Sequence, residues 1–495
     1  MRDAMIRYIV RRPPQPLAVV VAALIVAACD TSVTNPGPTP DDVLDAPVSQ
    51  GAVIAGARRA MSDALNTDRG TFILYWGAAL TFEVNPAGST GSFGITPQIQ
   101  AGTIDDLDAD DAWEDVHEAR FTAEDGFDRF TDPARAGGTA PDAARAELAL
   151  WAGYANRLLG ETFCQAVLPV QDDAKTYPAA LPDSFPVEQR SGSLSSHLDY
   201  FTRADEWFTI SLDLGTGATA TAARAGRASV RASLATYGEG SWADAASDAA
   251  AVTDDDFVFQ ALYSDQDQNQ FNALVWANGS SPYRAHTQWG TFAEVYHFFL
   301  EPDDSRIDIR IPGPNDPQSG DAAVAKFGGR VHWHPQRKYP DVEAPVNLSS
   351  GWEMRLIEAE ADLAGGNPGA AVDLLNVRRA DLVLAAYDNT VGADSAWSLL
   401  KLERQVELWL EARRLNDLRR WADNAVPGTI RDGLYVDNDG PDGDPSTFED
   451  FDAGTADDDG LAESGPVETV TSPVQRSLCF PVGRGEKETN PNVGF

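Results

Sequence analysis

Residues 395–422, SAWSLLKLERQVELWLEARRLNDLRRWA, run without a glycine or proline and constrain the chain more than any other stretch. Asp394 or Ser395 is placed to cap the start, and Pro427-Gly428 follow the end. A single helix here would be on the order of 40 Å long, more than most helices in globular proteins. Trp397, Leu400, Arg404, Leu408, Glu411, Leu415 and Leu418 form one stripe, an apolar seam with an arginine and a glutamate set into it. Leu399, Leu402, Val406 and Leu410 face another way, so the first half is expected to be buried on two sides. Charges in a seam need partners, and the spacing offers Glu411 with Arg414, Arg413 with Asp417, and Asp417 with Arg420. The expectation is one continuous helix whose ion pairs hold its neighbours in register and touch no ligand.

Other segments repeat the helical theme. Residues 141–163 place Pro141 at the start and Leu148, Trp151, Ala155 and Leu158 at helical spacing. Residues 196–214 are amphipathic, and a first helical pattern begins near Ala52. Residues 104–130 read as a further helix bounded by Pro133. The stretch 220–252 gives an alanine-rich helix, a glycine turn and a second alanine-rich helix; 354–384 repeats that plan. Small residues let two antiparallel helices approach closely across a short turn, a spacing similar to tetratricopeptide repeats. The fold class is therefore mostly α: a tetratricopeptide-like helical-repeat scaffold with long irregular insertions.

The insertions lie at about 253–352 and 429–475. The first is rich in Gly, Pro, Asp, His and aromatics, with weak helical periodicity apart from 291–300 and a candidate short strand at 306–311. The second is crowded with Asp and Gly.

The pattern Glu403-Arg404, Glu407-Leu408, Glu411, Arg414, Asp417-Leu418, Arg420-Trp421 resembles the long C-terminal helix of the SusD/RagB family. That family typically ends soon afterwards in an Asn-Pro run, and this chain ends ETNPNVGF. The resemblance is concentrated in 352–422 and the terminal residues, with weaker agreement through 141–252. It implies a SusD-like helical domain over 51–495 and the role of an outer-membrane lipoprotein that captures a nutrient, an oligosaccharide above all. It also implies a partner, a SusC-like TonB-dependent transporter, and a ligand surface to which the insertions contribute.

The N-terminus agrees with export. Arg2, Arg7, Arg11 and Arg12 precede an apolar run from Leu17 to Ala28, shorter than the roughly twenty residues of a membrane span. Val26-Ala27-Ala28-Cys29 looks like a lipobox, so 1–28 reads as a signal peptide and Cys29 as the lipid anchor. The alternative is an ordinary signal peptide with an incidental cysteine. Asp30 favours inner-membrane retention in some Gram-negative bacteria, which leaves the membrane open, although the family resemblance points to the outer one. Residues 29–50, rich in Pro, Thr and Asp, read as a tether. With Cys29 acylated, Cys164 and Cys479 remain, and an oxidising compartment allows a bridge; two free buried thiols are the alternative.

The formal net charge of −38 argues against nucleic acid and anionic membrane surfaces as direct partners, leaving the lipid anchor as the membrane contact. No nucleophile elbow, phosphate loop or dinucleotide fingerprint appears, so the chain is not expected to be an enzyme and requires no cofactor. Asp437, Asp439, Asp442 and Asp444 in DNDGPDGD offer oxygen ligands to calcium, although Pro441 occupies a ligand position; a solvated acidic loop is the alternative. His332 and His334 flank Trp333 without further ligands at metal spacing. Sugars present apolar C–H faces rimmed by hydroxyls, which suits exposed rings beside polar side chains. Tyr75, Trp76, Trp276, Tyr283, Trp289 and Trp333 are the candidates, at least two of them lining one exposed cleft. Two other functions compete with nutrient capture. One is a helical-repeat scaffold binding peptides or proteins at the cell surface; the other is a secreted hydrolase, which no motif supports.

Overall fold

The structure is a computed structural model that describes residues 41–66, 72–88, 96–132, 140–168, 192–279, 283–324, 329–430, 434–435, 469–470 and 476–494. Cys29 and the acidic residues Asp437, Asp439, Asp442 and Asp444 lie outside the described residues. The chain divides into two units, Met1–Leu44 and Asp45–Phe495. What is described of the first is one turn of helix, Asp41–Leu44.

The second unit is mostly helical, as expected. Its main helices are α1 (Gln50–Asn66), α2 (Ile73–Leu80), α3 (Asp110–Thr131), α4 (Asp142–Thr162), α5 (Leu198–Leu214), α6 (Gly217–Thr236) and α7 (Trp242–Ala250). They continue as α8 (Gly351–Ala364), α9 (Pro368–Asp381), α10 (Ala393–Glu407) and α11 (Arg414–Asp423). Apart from α2, which packs on α1, they stack in order from α1 through α3 to α10, each on the next. The two alanine-rich hairpins expected at 220–252 and 354–384 are α6–α7 and α8–α9, and α7 packs on α8 to join them. Within each hairpin the short connection makes the two helices antiparallel, the unit of a helical-repeat stack.

Small residues set the spacing. A Cβ placed on Gly153 of α4 or Gly226 of α6 would fall 2.6 or 2.4 Å from the ring of Phe208 on α5. One ring therefore fills the gap between two glycine-bearing helices. Buried charge adds specificity between α3, α4 and α5. Glu124 of α3 accepts hydrogen bonds from Arg120 (2.8 Å), Asn156 (2.9 Å), Trp207 (3.0 Å) and both nitrogens of the Arg203 fork (2.8 and 3.1 Å). Burial alone would raise its pKa; the guanidiniums of Arg120 and Arg203 outweigh that and hold it below the ordinary carboxylate value.

The continuous helix expected over 395–422 is corrected: it is two helices with a turn between them. α10 stops at Glu407 and α11 starts at Arg414, with Leu410 and Ala412 in left-handed backbone at φ 57° and 58°. That conformation costs roughly 1–2 kcal/mol per non-glycine residue. Distant partners supply the compensation. The Leu410 N–H donates to Glu83 (2.9 Å), and its carbonyl accepts from the Tyr339 hydroxyl (2.7 Å). Lys338 donates to the Trp409 carbonyl (2.6 Å) and to Glu411 (2.8 Å), and Arg414 donates to the Thr81 carbonyl (2.9 Å). Trp409 and Leu410 are fully buried as a result. Tertiary contacts here override a helical propensity that nothing local contradicts.

The segment 253–350 is largely irregular, as expected. Strands β1 (Val258–Ala261) and β2 (Val346–Ser350) pair antiparallel with a register shift at Phe259/Gln260, bringing its two ends together. The strand expected at 306–311 reduces to one bridge, Ile309 with Gln336. The helix at 291–300 forms as an α turn, Phe292–Val295, that widens into a π turn, Tyr296–Leu300. In the second insertion, Leu434–Tyr435 pairs antiparallel with Thr469–Val470. Cys164 and Cys479 form a disulfide with a Cα–Cα distance of 5.1 Å. Backbone bonds reinforce it: the Cys164 N–H donates to Phe480 (2.9 Å) and the Phe480 N–H to Thr162 (2.8 Å), tying the C-terminal segment to the end of α4. Among the described residues no helix is long and apolar enough to cross a membrane.

Candidate ligand surface

The charged positions of 403–421 are structural. Arg404 grips Asp417 through two bonds (2.9 and 3.1 Å), and Asp417 also meets Arg420 (3.0 Å), the one expected local pair that forms. Arg420 in turn forks onto Glu360 of α8 (2.6 and 2.8 Å). Arg413 reaches Glu161 of α4 (2.7 and 2.9 Å) and Glu353 of α8 (2.5 Å), not Asp417. Glu411 takes Lys338 and Asn347 (2.8 and 2.9 Å), not Arg414. Glu403 and Glu407 accept from Arg306 (2.6 and 3.1 Å). All these side chains are buried or nearly so, and they join the repeat helices to the irregular segment. Three cavities among them measure about 10, 20 and 10 Å³. Each has room for about one water molecule, so none takes a sugar.

Exposure divides the six aromatic candidates. Tyr75, Trp76, Trp289 and Trp333 are 0, 4, 5 and 3% exposed, which corrects the expectation that they face solvent. For Tyr75, Trp289 and Trp333 burial goes with a strand pairing, Asn85–Pro86 with His286–Thr287, that lays the irregular segment over α2. Trp76 instead packs on Phe72 and on Phe480 of the C-terminal segment. Tyr75 then packs on His286 with centroids 4.5 Å apart. Trp333 lies between the Arg284 and Arg310 guanidiniums, 5.9 and 5.7 Å from its centroid. Beside it, the ring of Trp289 meets that of His332, and His334 is buried against Glu294. Among the described residues no group of three or more His, Cys, Asp or Glu is placed to hold a metal ion.

Trp276 and Tyr283 are half-buried and meet edge to face, centroids 5.5 Å apart. Phe271, also half-buried, joins from the other side of Trp276 at 5.6 Å. Asn272 positions the group. It is fully buried, accepts from Asn66 of α1 (2.8 Å) and from the Leu274 N–H (3.2 Å), and donates to the Ala344 carbonyl (2.9 Å). An asparagine at this point starts the short helix Ala273–Gly279, whose Ala273, Leu274 and Val275 are buried and whose Trp276 reaches the surface. The preceding run Asp265, Gln266, Asp267, Gln268 and Asn269 is exposed and supplies carboxylates and amides beside the rings. Arg59 of α1 fixes that run by donating to the Asn269 carbonyl (2.6 Å). Phe271 escaped the sequence reading, although its place five residues before Trp276 and directly before Asn272 was a usable signal. The arrangement offers apolar ring faces with hydrogen-bonding neighbours.

These features define a class: a helical-repeat scaffold overlaid by an irregular segment that carries the surface rings. Residues 333–493 match the SusD family model. Similar solved structures include a SusD superfamily protein from Bacteroides vulgatus, 14% identical, TM-score 0.57, covering 90% of this chain and 97% of that one. Another, from Parabacteroides distasonis, is 14% identical with TM-score 0.58 and covers 90% and 98%. A SusD-like carbohydrate binding protein from Bacteroides vulgatus is 14% identical with TM-score 0.55 and covers 75% and 83%. No curated protein sequence matches the chain. The resemblance read from 403–421 is thereby shown: the C-terminal third carries the SusD family signature, and the chain has the SusD fold.

Proposed function

We propose that the protein is a lipid-anchored outer-membrane binding protein. In this reading it captures an oligosaccharide on the Phe271–Trp276–Tyr283 surface and delivers it to a SusC-like TonB-dependent transporter without altering it. The observation that carries binding is the trio of half-buried rings beside an exposed run of Asp, Gln and Asn. Burying a ring face contributes about 25 cal/mol per Å², while polar neighbours fix orientation. The lipobox sequence at Cys29 supports the anchor, and the match to the SusD family supports delivery to a transporter. Calcium at Asp437, Asp439, Asp442 and Asp444 would be an accessory to this role and is not needed for it.

The test is calorimetric titration against a panel of oligosaccharides. Trp276→Ala and Tyr283→Ala should each weaken binding about tenfold, the equivalent of 1.4 kcal/mol, with the melting temperature nearly unchanged. Binding that survives the double replacement would place the ligand elsewhere.

A further inference from the structure

α9 ends in a particular way. The Leu384 N–H donates to the Arg379 carbonyl (2.8 Å), and the Val383 N–H donates to that of Ala380 (3.1 Å). Helices that finish with this pair of bonds place their next residue in left-handed backbone, and glycine usually occupies it because it has no Cβ. Here the residue is Val383, at φ 60°. A β-branched side chain is poorly suited to that conformation. Burial would compensate, but Val383 is 91% exposed. Folding alone would therefore favour glycine, and the exposed β-branched side chain costs stability that no burial returns.

Its surroundings are apolar and then acidic. Val377 on the same helix is 49% exposed, and Ala380, Ala385 and Ala386 are exposed as well. Asp373, Asp381 and Asp388 are also exposed. Of the arginines at this helix end, Arg378 offsets Asp381 alone among the three, which leaves Asp373 and Asp388 without a guanidinium from this helix. Arg378 is engaged by Asp381 and Glu407 (2.7 and 3.0 Å) and lies over the ring of Trp352, while Arg379 is 1% exposed.

We propose that this helix end is a docking point for another protein, one that offers an apolar pocket rimmed by lysine or arginine. Charge complementarity selects that occupant. A second copy would bring its own three aspartates to the contact, on a chain of net charge −38, and an anionic lipid surface would be repelled for the same reason. The patch lies on the repeat scaffold, and the inference does not depend on what the Trp276 surface binds.

The experiment places a photo-reactive benzoylphenylalanine at Val377 of the full chain in its own host membrane, keeping Val383, and maps the adduct by mass spectrometry. The expected adduct is to a different protein, at a peptide carrying lysine or arginine beside apolar residues. Its yield should fall about fivefold or more at raised salt and in Val383→Gly. Val383→Gly should meanwhile raise the melting temperature by about 1–3 °C, which separates lost docking from lost folding. No adduct, an adduct to lipid or to a second copy, or a yield unchanged in Val383→Gly overturns the proposal. A lowered melting temperature in Val383→Gly also overturns it, because the valine would then be packed within its own chain.

Discussion

The repeat scaffold and the irregular segment 253–350 bury their polar groups by different means. In the scaffold, carboxylates such as Glu124 and Glu353 meet arginines from other elements, and rings such as Phe208 sit in glycine-made gaps. In the irregular segment, single side chains satisfy backbone groups: Asn272 serves the Leu274 N–H and the Ala344 carbonyl, and Tyr339 and Lys338 serve the 409–410 turn. Helices satisfy their own backbone, so side chains are free to pair with one another. Irregular chain must spend side chains on its own N–H and C=O groups. The scaffold should therefore fail by losing charge balance, and the irregular segment by losing local shape.

Arg413→Ala tests the first half and carries the largest expected effect. It takes away one of the two guanidiniums paired with Glu161 and Glu353, 5 and 1% exposed, and leaves Arg157 as their remaining counter-charge. The loss should therefore fall toward the lower end of the range for a broken buried pair. Breaking a buried pair from one side costs about 3–5 kcal/mol. Chemical denaturation should show that loss as a shifted midpoint for the whole unit, since Arg413 joins α4 to α8. A change under about 1 kcal/mol would mean that these charges are solvated, and the contrast between the two regions would lapse.

Asn272→Ala tests the second half. Three hydrogen bonds disappear, and the Ala344 carbonyl and the Asn66 amide lose a partner, at about 1–3 kcal/mol. Oligosaccharide affinity should fall as well, because Trp276 depends on Asn272 for its position. Faster amide exchange should be confined to 264–279 and the end of α1. A uniform increase across the scaffold would show the two regions to be one cooperative unit.

What could be read from the sequence follows the same division. The helix expected at 141–163 is Asp142–Thr162, and both alanine-rich hairpins form, because caps, turns and apolar spacing are local signals. The break at 408–413 was not legible. Its determinant, Glu83, lies 327 positions from Leu410, and the segment itself reads as helix throughout. For the ligand surface, the sequence located Trp276 and Tyr283 in the least helical stretch. It could not tell them from Tyr75, Trp289 or Trp333, whose burial depends on His286–Thr287 pairing with Asn85–Pro86. Two-residue strands carry no periodicity to announce them.

The smallest expected effect concerns the corner where the two regions meet. Burial pushes the pKa of Glu83 up to about 7, against the pull of Arg414, the Leu410 N–H and Lys338. An unfolded glutamate titrates near its ordinary value of 4.5, so between these values the folded chain binds more protons than the unfolded one. Stability from this group is then fully present below about pH 4.5 and declines as pH rises through 7. Between pH 6 and 8 the loss should be about 1 kcal/mol, at 1.36 kcal/mol per pKa unit. Carboxylates with lowered values, such as Glu124 and Asp417, act in the opposite sense at acid pH. Glu161, raised to about 7, and the buried His117, His197 and His286, held below their ordinary value, contribute in this window equally to parent and variant and cancel in the comparison. Glu83→Gln keeps an oxygen for the Leu410 N–H and removes the titration. Denaturation of both chains across pH 6–8 should therefore show a slope in the parent that is flatter by about that amount in Glu83→Gln. Parallel slopes would mean that Glu83 stays ionised when buried. The turn would then be held by a charge, as the scaffold is, and not by a neutral acceptor of a backbone N–H.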